Sequence, residues 1–203
     1  MSEHKFKYIF VTGAPGSKWS SVARTLWHSP DVDHSDNKNQ YNKNNVNHQG
    51  AYWGHGMEYG DKFSAMYLNT KEELEAEFDK PFSGKGLRII KCHDFALQLN
   101  FIRENWPECP IVMCLRGDDA CLGWWVKAGG FDITYPNYSK YKNYEVMAKS
   151  IADQNKGIRD FLDAKPSYYA YSSYNLSTLL NIEFSKMEQD YSKDDVDVYL
   201  NWS

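Results

Sequence analysis

Long apolar runs are missing from this sequence. No stretch approaches the ~20 consecutive apolar residues that a membrane-spanning helix needs. The N-terminus is polar and charged up to Lys7, without the apolar core of a signal peptide. We therefore expect a soluble cytoplasmic protein that has no membrane partner.

Cysteine is scarce, and positive charge is not in excess. The four cysteines, Cys92, Cys109, Cys114 and Cys121, form no CxxC pair, which disfavours a zinc site. The 23 Lys and Arg residues stand against 27 Asp and Glu, so the chain has no global basic field for nucleic acid. Any anion-binding site must therefore be local.

The composition is that of a folded chain with many aromatic residues. The 203 residues include 42% hydrophobic and 25% charged residues, which suits one domain over 1–203. Aromatic residues make up 16% of the chain, which favours stacking pockets or well-anchored surfaces. Residues 183–203 carry six acidic residues against two lysines, and we expect a solvated or frayed tail there.

Short apolar runs alternate with segments of helical spacing. Three runs and a possible fourth fit strands: 6–12 (FKYIFVT), 87–92 (LRIIKC), 110–115 (PIVMCL) and 168–171 (YYAY). This alternation predicts an α/β fold of three layers (α/β/α) around a central parallel sheet of about four to five strands. Ligands of such sheets bind at the carboxyl ends of the strands.

A long segment at 28–62 interrupts this alternation. Six asparagines crowd residues 37–47, and Tyr52, Trp53 and Tyr59 follow among glycines. Loops of this length in compact domains are usually functional or disordered. The segment is thus either a mobile surface insertion or a part that contacts a ligand.

The first strand end carries a possible phosphate-binding loop. The sequence GAPGSKWSS at 13–21 lies between a strand and a helix, where backbone amides and the helix dipole bind anions. It does not match GxxxxGK[ST], because Lys18 and Trp19 occupy the Gly-Lys positions. The alternative is a Gly/Pro turn that only begins a helix.

Two more strand ends carry candidate functional side chains. His93, in KCHD, is a possible general base, although a lone histidine is more often a hydrogen-bonded structural residue. Arg116, in RGDD, could bind a phosphate with two parallel hydrogen bonds, or it could form an ion pair with Asp118 or Asp119.

Together the three strand ends resemble the sulfotransferases that use 3′-phosphoadenosine 5′-phosphosulfate (PAPS). IIKCHDFALQL is similar to that family's KTH strand end, and Arg116 follows at a similar distance. APGSKWSSVARTL is similar to the PKSGTTW type of loop, and Tyr174-Asn175-Leu176 resembles a Tyr-Glu-Asp-Leu segment. The resemblance covers roughly 8–26 and 87–176.

The resemblance implies a P-loop-type nucleotide-binding topology and a role for each matching residue. His93 would take the acceptor proton, and Lys18 and Lys91 would neutralise the departing 5′-phosphate. Arg116 would bind the 3′-phosphate, and no metal would be needed. The residues that would hold PAPS, and afterwards its product adenosine 3′,5′-bisphosphate, are Gly13, Ala14, Pro15, Gly16, Ser17, Lys18, Trp19, Ser20, Ser21 and Arg116.

The expected reaction is transfer of a sulfuryl group to a hydroxyl or amine of a small-molecule, saccharide or peptide acceptor. The acceptor would lie under the long segment, against Tyr52, Trp53, His55 and Tyr59. In register, the family's loop lysine falls on Gly16 and its glycine on Lys18. A serine of the family, downstream of the arginine, falls near Gly123.

Two other functions fit parts of the pattern. One is a P-loop kinase for a nucleoside or small metabolite, which would need magnesium held by Asp94 or Asp118. The other is a non-catalytic nucleotide-binding protein of the same fold, because a fold alone does not guarantee chemistry.

Overall fold

The structure is a computed structural model that describes residues 4–36, 50–54, 57–130, 143–183 and 188–202. The strands are β1 (Tyr8–Gly13), β2 (Arg88–Lys91), β3 (Ile111–Leu115), β4 (Tyr168–Ala170) and β5 (Asp197–Asn201). The α-helices are α1 (Trp19–Trp27), α2 (Lys71–Asp79), α3 (Leu99–Asn105), α4 (Asp118–Lys127), α5 (Tyr144–Ala164) and α6 (Ser173–Leu180). Short 3₁₀ helices lie at Phe63–Leu68, Asp94–Leu97 and Tyr191–Asp194.

The predicted α/β fold is confirmed, with five strands in the order β2-β1-β3-β5-β4. Strand β1 pairs in parallel with β2 and β3, and β5 pairs antiparallel with both β3 and β4. Helices α1 and α6 contact each other and the sheet, and α5 contacts α3, α4, β1 and β3. Because β1 lies between β2 and β3, their three carboxyl ends meet at one edge of the sheet.

The prediction of a solvated or frayed acidic tail is wrong for residues 197–201. They form β5 inside the sheet, and Val198 and Leu200 are fully buried. The acidic side chains had suggested solvent, but Val196, Val198 and Leu200 alternate with polar neighbours as in a half-buried strand. This alternation indicates a strand, whereas the number of acidic residues had suggested a solvated tail.

Local sequence explains where the helices begin. Thr70 and Glu73 form a reciprocal capping box at the start of α2. The Asn143 side chain accepts hydrogen bonds from the backbone amides of Glu145 and Val146 at the start of α5. Along α5, Met147, Ile151 and Ile158 recur at helical spacing and are buried.

The aromatic residues mainly build the core. Phe10 on β1 lies edge-on to Phe78 and Phe95, with ring centroids 5.4 and 5.6 Å apart. Trp106 and Phe63 extend this cluster. Many of the aromatic residues therefore pack on the face of the sheet to which Phe10 points. Among the described residues, no helix has the length and apolar character needed to cross a membrane.

Candidate functional site

The loop after β1 is a tight turn that packs against α4. Residues 13–17 are buried, and the Ser17 amide donates a 3.0 Å hydrogen bond to the Ala14 carbonyl. Gly16 has φ +82°, and a Cβ there would overlap the Cys121 carbonyl oxygen. Glycine is required at this position, because the contact leaves no room for a side chain and the backbone conformation disfavours one.

Lys18 caps the N-terminus of α1 in a left-handed conformation with φ 63°. It occupies the position at which the sulfotransferase loop has glycine, the residue that adopts this conformation most easily. Its ammonium lies 2.5 Å from the Asp194 carboxylate, which also accepts a 3.1 Å hydrogen bond from Gln189 Nε2. The hydrogen bond from Lys18 holds the pKa of Asp194 below its usual range. The predicted loop cation thus has a carboxylate partner.

Arg116 follows β3 and reaches the loop. The β1–β3 register places Gly13 beside Cys114, and Arg116 Nη1 donates to the Gly16 carbonyl at 3.0 Å. Asp118 accepts a 2.7 Å hydrogen bond from Asn155 and lies 3.8 Å from Arg159. The structure therefore brings Arg116 and the loop together.

The buried polar atoms without a hydrogen-bond partner among the described residues include two donors at this edge. They are the Ser17 hydroxyl oxygen, on a fully buried residue, and Arg116 Nε. Buried polar groups are normally satisfied, so unpaired donors on both sides of one loop suit a bound acceptor such as an anion. Ser20 and Ser21 lie in the first turn of α1 and are partly exposed.

His93 lies against the same loop. Its Nδ1 is 2.5 Å from the Gly13 carbonyl oxygen, and its ring centroid is 4.4 Å from that of Trp19. A carbonyl oxygen can only accept, so Nδ1 carries the proton and Nε2 is the basic nitrogen of the neutral ring. Tyr52 packs on the other two rings, with centroids 5.4 Å from Trp19 and 5.9 Å from His93.

Lys91 lies within the sheet rather than in a loop. It pairs with Val11 across β1 and β2, and its side chain is buried. Burial lowers the pKa of Lys91 to about 8, and the negative charge of Asp36 partly opposes this shift. Asp36 accepts 2.9 and 2.8 Å hydrogen bonds from Trp27 Nε1 and the Ala51 amide. The role of Lys91 as a second cation for the phosphate remains a prediction.

The aromatic residues predicted to contact the acceptor separate into two groups. Tyr52 lies beside His93, whereas Trp53 is fully buried and its indole donates to the Glu77 carbonyl. Trp53 and Tyr59 also pack against each other, with ring centroids 5.9 Å apart. Trp53 and Tyr59 therefore belong to the hydrophobic core, and their assignment to the acceptor site stays a prediction. His55 and the asparagine-rich stretch lie outside the described residues.

Two site residues were not predicted from the sequence. Asn155 donates hydrogen bonds to the Arg116 carbonyl and to Asp118, at 2.8 and 2.7 Å, and so fixes the start of α4. Asp194 reaches Lys18 across 176 positions of the chain. The sequence alone does not distinguish Asp194 from the neighbouring acidic residues. Asn155 stands out only in the structure, where it is a buried polar residue on α5.

The described residues contain no cluster of three or more His, Cys, Asp or Glu side chains that could hold a metal ion. All four thiols are buried, and burial raises the pKa of Cys109 to about 11 and of Cys121 to about 12. Of the two carboxylates considered for magnesium, Asp118 already bonds Asn155, and Asp94 is buried in the 3₁₀ helix after His93.

No protein-family model and no curated protein sequence matches this chain. Among solved structures, the chain is similar to a sulfotransferase from Alicyclobacillus acidocaldarius, with a TM-score of 0.46 and 14% sequence identity. The superposition covers 92% of this chain and 85% of that one. A similarity of this size assigns neither a family nor an activity to the chain.

Proposed function

We propose that this protein transfers a sulfuryl group from PAPS to a hydroxyl or amine of an acceptor. The observation that carries the proposal is the convergence of three strand ends on one loop. Gly16, Ser17 and Arg116 supply a left-handed turn and two unpaired buried polar atoms, and His93 bonds the loop from the other side. PAPS would supply the activated sulfuryl group.

The residues of the loop would bind and orient the donor. The Ser17 hydroxyl and the loop amides would donate to an anion at the N-terminus of α1. Arg116 would present its guanidinium to a second phosphate while Nη1 keeps its bond to Gly16. Positioning and neutralisation of charge are the main needs of such a transfer.

His93 would act on the acceptor. Its Nδ1–H bond to the Gly13 carbonyl fixes the ring and leaves Nε2 as the nitrogen that can take a proton. Tyr52 and Trp19 enclose the imidazole and limit its rotation. We expect the acceptor hydroxyl or amine to lie on the Nε2 side of the ring.

Calorimetric titration with adenosine 3′,5′-bisphosphate, in the presence of a chelator, tests this proposal. We expect binding without added metal, because the loop and Arg116 provide the donors. Arg116→Ala should weaken binding by ~1.5–3 kcal/mol, the range for a charge-assisted hydrogen bond. Adenosine 5′-phosphate, which lacks the 3′-phosphate, should be much less affected by this substitution.

His93→Gln is the matched control for the same titration. It should leave bisphosphate affinity nearly unchanged, because the imidazole is assigned to the acceptor and not to the nucleotide. Binding that requires magnesium, or that occurs only with ATP, would favour a kinase and contradict the sulfotransferase proposal. Equal weakening of both nucleotides by Arg116→Ala would assign Arg116 to holding the loop instead.

A further inference from the structure

The carboxylate of Asp194 is held against the anion-binding loop by the chain that carries it. Asp194 ends the 3₁₀ helix Tyr191–Asp194, which follows a segment anchored to β4 and α6. The Tyr191 amide donates to the Tyr171 carbonyl, and the Ser173 amide donates to the Gln189 carbonyl, both at 2.9 Å. These bonds fix the approach of Asp194 to the loop without help from Lys18.

Asp194 also interacts electrostatically with Lys18 of the loop and with Arg116 beside it. Its carboxylate contacts Lys18 directly and is stabilised electrostatically by Arg116. The Lys18 and Asp194 side chains are only 21% and 30% exposed, so solvent screens their attraction less than at an open surface. A carboxylate in this position lowers the positive potential that an incoming phosphate would meet.

The contact also determines where the Lys18 ammonium points. The left-handed backbone at Lys18 is uncommon for a residue with a side chain, and the ion pair with Asp194 offsets some of its cost. An anion in the loop would have to share the ammonium with Asp194 or displace that carboxylate. Either event makes anion binding weaker than the loop alone would allow.

We propose that Asp194 determines the anion affinity of the loop by competing for Lys18, so that its carboxylate acts as an internal substitute for the ligand phosphate. This inference rests on the proposed function only in requiring that the loop bind an anion. Asp194 is thus a positioning residue that acts through Lys18.

Titration of Asp194→Asn with inorganic pyrophosphate and with adenosine 3′,5′-bisphosphate tests the inference. We expect both probes to bind about fivefold or more tightly than to the wild-type chain, because one adjacent negative charge is removed. This gain in affinity should shrink as the salt concentration is raised from 0.01 to 0.5 M, because the Debye length falls from ~30 Å to under 10 Å. Asp190→Asn is the control, because it removes a charge that pairs with Lys193 in the same segment.

The Lys18→Met background separates competition from a structural effect. There, Asp194→Asn should gain much less affinity, because the shared cation is gone. Unchanged or weaker binding to Asp194→Asn, or an equal gain in Asp190→Asn, would overturn the inference.

The two probes also distinguish this inference from the proposed function. Pyrophosphate binding that tightens in Asp194→Asn, without binding of the bisphosphate, would support the competition and contradict the sulfotransferase. Adenosine 3′,5′-bisphosphate that binds but does not bind more tightly to Asp194→Asn would contradict the competition and support the sulfotransferase proposal. Failure of every variant to bind either probe would contradict both.

Discussion

At the scale of single residues, backbone conformation decides which side chains the loop accepts. Gly16 and Lys18 are both left-handed, but only Gly16 lies where a Cβ would overlap the Cys121 carbonyl oxygen. The two residues therefore cannot be exchanged to restore the lysine-glycine order of the sulfotransferase loop. Under the proposed function, Lys18 would supply the cation of the loop, and its ammonium contacts Asp194.

Lys91 gives a pH-dependent prediction at this scale. Burial lowers its pKa to about 8 from an ordinary value of 10.5, so the unfolded chain binds one proton more between these limits. The contribution of Lys91 to the free energy of unfolding therefore rises with pH in that window, by up to about 1.4 kcal/mol per pH unit. Urea unfolding of the wild-type chain and Lys91→Met should show a difference with this slope.

Lys85→Met controls for loss of a lysine, because Lys85 is exposed just before the same strand. Other groups that titrate at alkaline pH cancel when wild type and variant are compared. A difference between wild type and Lys91→Met that stays flat from pH 8 to 10.5 would contradict a lowered pKa of Lys91.

At the scale of elements, one close contact joins α5 to the 3₁₀ helix that follows His93. Gly157 is partly buried and faces the 3₁₀ helix Asp94–Leu97, where a Cβ would overlap the Ala96 carbonyl oxygen. This contact places α5, and with it Asn155, beside Arg116. The 3₁₀ helix after His93 is therefore packed against α5, which carries the Asn155 that bonds Arg116.

Gly157→Ala should destabilise the protein by ~1–3 kcal/mol, because the backbone must shift to relieve the overlap. Gly123→Ala in α4 is the matched control, since nothing lies within 4 Å of its Cβ position. The control should be stabilised by ~0.5–1 kcal/mol, the ordinary gain for replacing glycine within a helix. Chemical denaturation of both variants gives the comparison, and a stabilised Gly157→Ala would refute the close contact.

At the scale of the whole molecule, β5 joins two parts of the sheet. It pairs with β3 on one side and β4 on the other, so among the described residues β4 joins the sheet through β5. Strand β5 also follows directly after the segment that carries Asp194. Residues 194–201 therefore supply both a strand of the sheet and a carboxylate beside the loop.

Leu200→Ala tests this role of β5. Leu200 is fully buried between Val112 and Tyr168, so its truncation should cost ~2–5 kcal/mol of unfolding free energy. Leu68→Ala makes the same chemical change at an exposed position and should cost less than ~0.5 kcal/mol. Similar thermal midpoints for the two variants would show that β5 adds little to stability.

The sequence by itself determined the alternation of strands and helices, the loop after β1 and the two neighbouring strand ends. These features depend on local periodicity and on glycine, which single segments display. Tertiary structure decided that Trp53 belongs to the core, that β5 lies antiparallel between β3 and β4, and that Asp194 meets Lys18. Such contacts join residues far apart in the chain, and their partners are selected by packing and charge in three dimensions, which no local pattern records.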